Sequence, residues 1–248
     1  MYTLNCKGKL LVVDKPLVMG IINATPDSFY EGSRFSGAGN ILQQAELLLR
    51  QGAGILDIGG QSTRPGSERI SAEEELQRVT GAVEALHKHF PESIISIDTY
   101  WSRVAEEAVM AGASIINDIS AGTVDAAIFQ VAARLQAPYV CMHMPGTPDT
   151  MHQKPGYENM MREVLDFFIQ KMAACRQAGI RDIIIDPGFG FGKTMPQNFE
   201  LLKRLGILQL LQAPILVGVS RKSTIWKTLG ITAGEALNGT TVLHTLAF

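Results

Sequence analysis

Residues 94–119 read IISIDTYWSRVAEEAVMAGASIINDI, and the order of parts inside them decides the fold. The opening run, Ile94–Asp98, is apolar without regular alternation, as suits a parallel strand buried on both faces. Arg103–Gly112 follows with a helical pattern and ends on a glycine of the kind that closes helices. A second apolar run, Ser114–Ile119, comes next. The unit is strand, helix, strand.

The same alternation extends in both directions. Further apolar runs stand at Val18–Asn23, Ile55–Gly60, Pro138–His143, Ile183–Gly188 and Ile215–Ser220. Helical patterns separate them at Ile41–Ala53, Glu73–Phe90, Ala126–Leu135 and Glu158–Gly179. Ser71 and Glu74 form a capping-box pattern, and Gly52 and Gly179 stand where Gly112 does, between helix and strand. Residues 2–13 read as a β-hairpin placed before the first unit, where it would cover the bottom of a barrel. After the seventh run one more helical stretch, Ala236–Leu246, is expected. Strict alternation predicts a parallel sheet wrapped by helices, and a barrel or a doubly wound sheet satisfies it equally. No linker or low-complexity run divides the 248 residues, so residues 1–248 are read as one domain, the size of an eight-fold (β/α) barrel.

Composition narrows the function. A formal net charge of −2 gives no bulk attraction for nucleic acid or an anionic membrane, so any anion site must be local. No stretch reaches the roughly 18 apolar residues of a membrane span, and Met1–Asp14 has no signal-type apolar core. Cys6, Cys141 and Cys175 are odd in number and widely spaced, which points to reduced thiols rather than a disulfide framework or zinc site. A soluble, cytoplasmic protein is expected. His87, His89 and His152 lack metal-ligand spacing, and His143 reads as a core imidazole as readily as a ligand contact. The methionines, Trp101 and Trp226 read as packing.

The chemistry lies at the strand ends, which in a (β/α) barrel converge on the active site. In order they offer Asn23, Asp57 to Arg64, Asp98, Asn117 with Asp118, His143, Asp186, and Ser220-Arg221-Lys222-Ser223. Any one Asp or Asn there could simply cap the next helix, but the whole set could not, and Arg64 and Lys222 are not capping residue types. Asn23-Ala24-Thr25-Pro26-Asp27-Ser28-Phe29 supplies hard oxygens suited to Mg²⁺ or diphosphate, unless it is a solvated turn. Gly59 to Gly66 combines paired glycines, Ser62, Thr63 and the anion-clamping Arg64. Asp186-Pro187-Gly188-Phe189-Gly190-Phe191-Gly192-Lys193 lets a ligand approach the backbone and offers two aromatics to wall a planar substrate, without P-loop spacing. Ser220-Arg221-Lys222-Ser223 suits a phosphate site after strand seven, or else a plain basic turn.

Taken in order, these segments resemble the signatures of the dihydropteroate synthase family. Met19–Phe29 is similar to the first, Asp57–Gly66 to the second, and Ile97–Thr99, Ile116–Ile119, Met142–Met144, Asp186–Lys193 and Ser220–Ser223 follow in the family's sequence. The resemblance implies a TIM-type (β/α)8 barrel holding a pterin in its mouth, within which Asp98, Asn117, Asp186 and Lys222 bind the ring edge and Ile119, Met142 and Phe191 pack its faces. It implies catalytic roles for Asp98, Lys222 and Asp27, and a diphosphate site at Asn23, Thr63 and Arg64. Mg²⁺ would sit with Asn23 and Asp27, and 4-aminobenzoate or a sulfonamide mimic with Phe29, Thr63, Pro65, Phe191, Lys222 and Ser223. A homodimer is implied as well.

One departure stands out. The family carries an Arg-x-His motif on an eighth strand, whereas this sequence ends at Phe248 with the last βα unit missing; the expectation is a record cut short. That gap motivates one alternative, a pterin-binding protein without catalysis. A folate-dependent methyltransferase domain is the other, disfavoured by the pairing of Thr25-Pro26-Asp27-Ser28-Phe29 with Ser220–Ser223.

Overall fold

A computed structural model describes residues 1–24, 36–61, 69–147, 150 and 156–248. The hairpin comes first, with β1 (Tyr2–Cys6) antiparallel to β2 (Lys9–Val13). Six strands then pair in parallel and in chain order: β3 (Val18–Asn23), β4 (Ala53–Gly59), β5 (Ile94–Asp98), β6 (Ile115–Asp118), β7 (Tyr139–Met142) and β8 (Ile183–Asp186). Helices α1 (Ser36–Arg50), α2 (Ala72–His89), α3 (Ser102–Ala111), α4 (Ile128–Leu135) and α5 (Met160–Ala178) fill the crossovers. Beyond β8 come α6 (Met195–Lys203), a 3-10 helix (Leu205–Leu211), α7 (Ser223–Leu229) and α8 (Leu237–Ala247).

Two points correct the sequence reading. The run Ile215–Ser220 is not a full seventh strand among the described residues; only Ile215 bridges, in parallel, to Ile185. Secondly, the structure adds α6, the 3-10 helix and α7, which are too short to show a helical period; Pro196 and Gly206 interrupt the first two as well. No described strand pairs with the outer edge of β3, the place an eighth would occupy.

Local chemistry sets the boundaries. Ser71 Oγ accepts the Glu74 amide at 3.2 Å to open α2, whose first turn is acidic and last turn basic, as the helix dipole favours. A complete reciprocal capping box forms at Thr194 and Gln197 instead, opening α6. Gly112, at φ 130°, ends α3, and its absent Cβ leaves room for the His87 ring, which a side chain would meet at 2.4 Å.

The strands sort their side chains by face. Leu56, Ile58, Ile95, Ile97, Ile116, Tyr139, Cys141 and Ile185 point outward into the main core beneath the helices. Ile55, Ile94, Ile115, Val140 and Ile184 point inward and form a second apolar cluster with Leu4 and Cys6 of the hairpin. Five successive strands thus contribute to one interior layer, and the hairpin seals it from below. Further along the same inward-facing rows lie Asp57, Ser96, Asn117 and Asp186. The interior is greasy at its foot and polar towards the carboxyl ends.

Candidate active site

Parallel pairing carries the polar groups to one height. Gly59 lies opposite Asp98, Asp98 opposite Asn117, and Met142 opposite Asp186. Asn117 Nδ2 donates to Asp57 Oδ2 at 3.1 Å across the interior, and both residues are buried. Asp57 Oδ1 has no hydrogen-bond partner among the described residues. Ser96 Oγ, on the neighbouring strand position, is also unpartnered there and favours the Asp57 carboxylate from close by.

The loop after β8 is pinned from several sides. Gly188, at φ 69°, donates its amide to Asp186 Oδ1 at 2.7 Å. A Cβ on Gly188 would fall 2.0 Å from the His143 carbonyl oxygen, so only glycine fits. Lys193 Nζ donates to the carbonyls of Gly188 (2.9 Å), His143 (3.3 Å) and Phe191 (3.3 Å). Asn198 Oδ1 accepts the Gly190 amide at 2.7 Å, while its Nδ2 holds the Lys193 and Thr194 carbonyls. Lys222 donates to the Phe189 carbonyl, and its ammonium lies 4.5 Å from the centroid of the Phe191 ring. That ring packs with Ile119, Met142, Met144, Tyr100 and Trp101 into an apolar wall facing the polar groups.

Burial dominates the electrostatics. Asp98 is held well above the ordinary carboxylate range by burial, with Asp57, Glu75, Asp118 and Asp186 adding repulsion. Desolvation also raises Asp186, against the pull of Lys222, the Gly188 amide and Lys193. It raises Asp57 too, against Ser96 and Asn117. Lys222 is brought down to about 8 and Lys193 to about 7, both chiefly by burial. Acids and bases of this kind gain when a ligand supplies donors to the carboxylates and acceptors to the ammoniums.

The sequence-predicted residues divide into three groups. Asp98, Asn117, Ile119, Met142, Asp186, Phe191 and Lys222 are brought together at the carboxyl ends of β5 to β8 and the loops that follow. Asn23 stands at the rim opposite Gly59, and Ser223 opens α7 beside Lys222. Asp27, Phe29, Thr63, Arg64 and Pro65 lie outside the described residues. Lys222 does occupy the backbone position before α7, but its side chain makes no capping bond. Arg221, read as half of a phosphate site, instead donates to the Ala233 and Gly234 carbonyls and braces the turn before α8. His143 is a core imidazole among Tyr157, Phe167 and Phe168, and burial lowers its pKa to about 3. Asp118 faces outward and ties Tyr139 to the Ser120 and Gly122 amides.

Asp57 and Lys193 stand in the sequence motifs quoted above but receive no role from the sequence alone. Asp57 sits in mid-strand, two positions before a glycine pair, and its inward phase relative to Asn117 was the available signal. Among the described residues no group of three or more His, Cys, Asp or Glu is placed to hold a metal.

Comparison with known proteins points one way. A family model described as "Pterin binding enzyme" matches residues 19–248. The dihydropteroate synthase of Escherichia coli (strain K12) is 42% identical over 243 residues, covering 97% of this chain and 86% of that protein. The Yersinia pestis dihydropteroate synthase, solved with a sulfonamide drug, superposes with a TM-score of 0.92 at 38% identity, covering 99% and 90%. The Xanthomonas albilineans enzyme with 4-aminobenzoic acid gives a TM-score of 0.89 at 38% identity, covering 99% and 88%.

Proposed function

The chain belongs to the pterin-binding enzyme family, and on that premise we propose how its residues carry out dihydropteroate synthesis, the transferase step of folate biosynthesis performed by its relatives. The reaction joins 6-hydroxymethyl-7,8-dihydropterin diphosphate to 4-aminobenzoate, giving 7,8-dihydropteroate and pyrophosphate. One observation supports the assignment of roles: Asp57 is bonded by Asn117 and feels the charge of Asp186, Asp186 faces Lys222, and Lys222 lies over Phe191 of the Ile119–Met142–Phe191 cluster.

A pterin is flat, with N–H donors on one edge and a carbonyl beside them. Asp186 receives the exocyclic amine and ring N–H, Lys222 donates to the carbonyl, and Asn117 and Asp98 meet the nitrogens farther round. Ile119, Met142 and Phe191 cover the faces. An analogue lacking one of these groups strands a buried polar atom, which is where selectivity comes from. The C–O bond to diphosphate breaks first and the diphosphate leaves with the bonding pair. The resulting cationic pterin methylene is stabilised by Asp98, whose ionised form, disfavoured by burial, is favoured again by positive charge beside it. The amine of 4-aminobenzoate then attacks that carbon and loses a proton.

The remaining roles fall at the rim. Asn23, Thr63 and Arg64 serve the diphosphate, and Phe29, Thr63, Pro65, Phe191, Lys222 and Ser223 line the 4-aminobenzoate pocket, where sulfonamides would compete. The Asn23 amide oxygen is a hard donor at the mouth and fits Mg²⁺, with Asp27 as the second protein ligand; the ion, when bound, neutralises leaving-group charge. No described helix is long and apolar enough to cross a membrane, which is compatible with a cytoplasmic enzyme. Exposed Leu229, Leu237 and Val242 on α7 and α8 support a homodimer, to be checked by light scattering.

Pyrophosphate release tests the activity: sustained release over many turnovers should require both substrates and fall when a sulfonamide is added. Binding of the pterin diphosphate without release, in the presence of 4-aminobenzoate, would leave a non-catalytic pterin binder instead.

A further inference from the structure

The face opposite the mouth holds a cleft of about 410 Å³, counting its open entrance. Its polar lining comes from Tyr2 and Thr3 of the hairpin, Arg176 in the last turn of α5, Arg181 and Asp182 before β8, and Gln212. Arginine pairing across the molecule sets this cleft apart. Arg50, Arg78, Arg103, Arg134, Arg162 and Arg204 each pair with a carboxylate. Arg69 lies over Tyr100 and Trp101, and Arg221 holds two carbonyls. Among the described residues only Arg176 and Arg181 have guanidiniums with no hydrogen bond, ion pair or ring contact, and both line this one cleft.

Both side chains are exposed, yet they stand together in one concavity of a chain with net charge −2. Arg176 complements the carboxyl end of α5, which accounts for one cation and leaves Arg181 without a role. The single acid present, Asp182, already accepts the Asn5 amide at 2.8 Å and makes no ion pair with either arginine. Guanidinium forks match oxyanions bidentately, and Gln212 and the hairpin residues supply neutral donors beside them.

We propose that this cleft is a second site, distinct from the barrel mouth, for a small oxyanion bearing phosphate or carboxylate groups. The occupant would bridge the hairpin, α5 and the start of β8, whose other end carries Asp186. It would reinforce the foot of the barrel without competing with substrate.

Guanidinium Nε–H resonances of the ¹⁵N-labelled protein provide the test, assigned with Arg176→Lys and Arg181→Lys. Inorganic phosphate and citrate are titrated separately against chloride at matched ionic strength, which distinguishes the two anion chemistries. Both resonances should shift together and saturably with at least one of them, and that binding should weaken at least tenfold in Arg176→Ala/Arg181→Ala. The double variant should retain wild-type pyrophosphate release, because neither residue lies near the mouth. Shifts no larger than those in chloride, or an unchanged affinity in the double variant, would overturn the proposal.

Discussion

Replacing Gly188 by alanine should damage the site more than any other single methyl group. The residue sits at φ 69°, where an L side chain costs about 1–2 kcal/mol. The added carbon would lie 2.0 Å from the His143 carbonyl oxygen, so the backbone must retreat by more than an ångström. That retreat breaks the 2.7 Å bond from the Gly188 amide to Asp186, a charged-acceptor bond worth about 1.5–3 kcal/mol. It also loosens the 2.9 Å bond from Lys193 to the Gly188 carbonyl. Together these predict a loss of about 3–5 kcal/mol, or roughly 6–20 °C in Tm for a domain of this size. Asp186 would lose its orientation as well, so KM for the pterin diphosphate should rise at least tenfold. Gly81→Ala is the control: it lies inside α2 with nothing within 4 Å of the new carbon, and should stabilise by about 0.5–1 kcal/mol. Thermal unfolding and initial-rate kinetics on both variants decide the matter. A Gly188→Ala protein within about 1 kcal/mol of wild type, with KM unchanged, would refute the reasoning.

Three further outcomes are expected. Asn117→Ala removes the donor to Asp57 Oδ2 and should weaken pterin binding by about 1–3 kcal/mol in direct titration; equal affinity would mean the pair does not meet the ligand. Lys222→Ala should lower kcat/KM about a hundredfold or more while far-ultraviolet circular dichroism stays unchanged, since its ammonium lies beside Phe191 and Asp186 and makes no helix-capping bond. Glu75 is buried, with its pKa raised from 4.5 to about 7 chiefly by burial, so the folded protein holds a proton there that the unfolded chain releases. Its stabilising contribution is therefore full below about pH 4.5 and lost as pH rises to about 7, and Glu75→Gln should gain up to about 3 kcal/mol on wild type between pH 5 and 8 in urea unfolding. A constant difference across that range would disprove the sign.

What the sequence disclosed followed from burial. Runs such as Ile94–Asp98 and Ile183–Asp186 are apolar because both faces are covered, so their positions could be read within a residue or two. Polar residues at their ends had no packing reason to be there, which is why Asp98, Asn117, Asp186 and Lys222 stood out. Asp57 did not, because its role depends on an interior bond to Asn117 across non-adjacent strands, and no local pattern encodes that distance. Lys193 was hidden for the same reason: it binds three carbonyls, one of them 50 positions earlier. The seventh run looked like a strand by composition, yet pairing is a property of two segments, and Ile215 alone meets its neighbour. Arg221 showed the converse error, a surface cation whose partners are backbone oxygens that sequence does not display.

The plug at the foot of the barrel gives the three sulfur atoms separate meanings as reporters. Cys6 is wedged among the inward isoleucines, with burial pushing its thiol up to about 12, whereas Cys141 and Cys175 lie together under α5 in the outer shell. A thiol reagent can reach the first only after the hairpin swings out, and the other two only after α5 lifts from β7. Timed alkylation followed by peptide mass analysis would therefore rank the opening of these two parts on one clock, without any label being engineered into the chain.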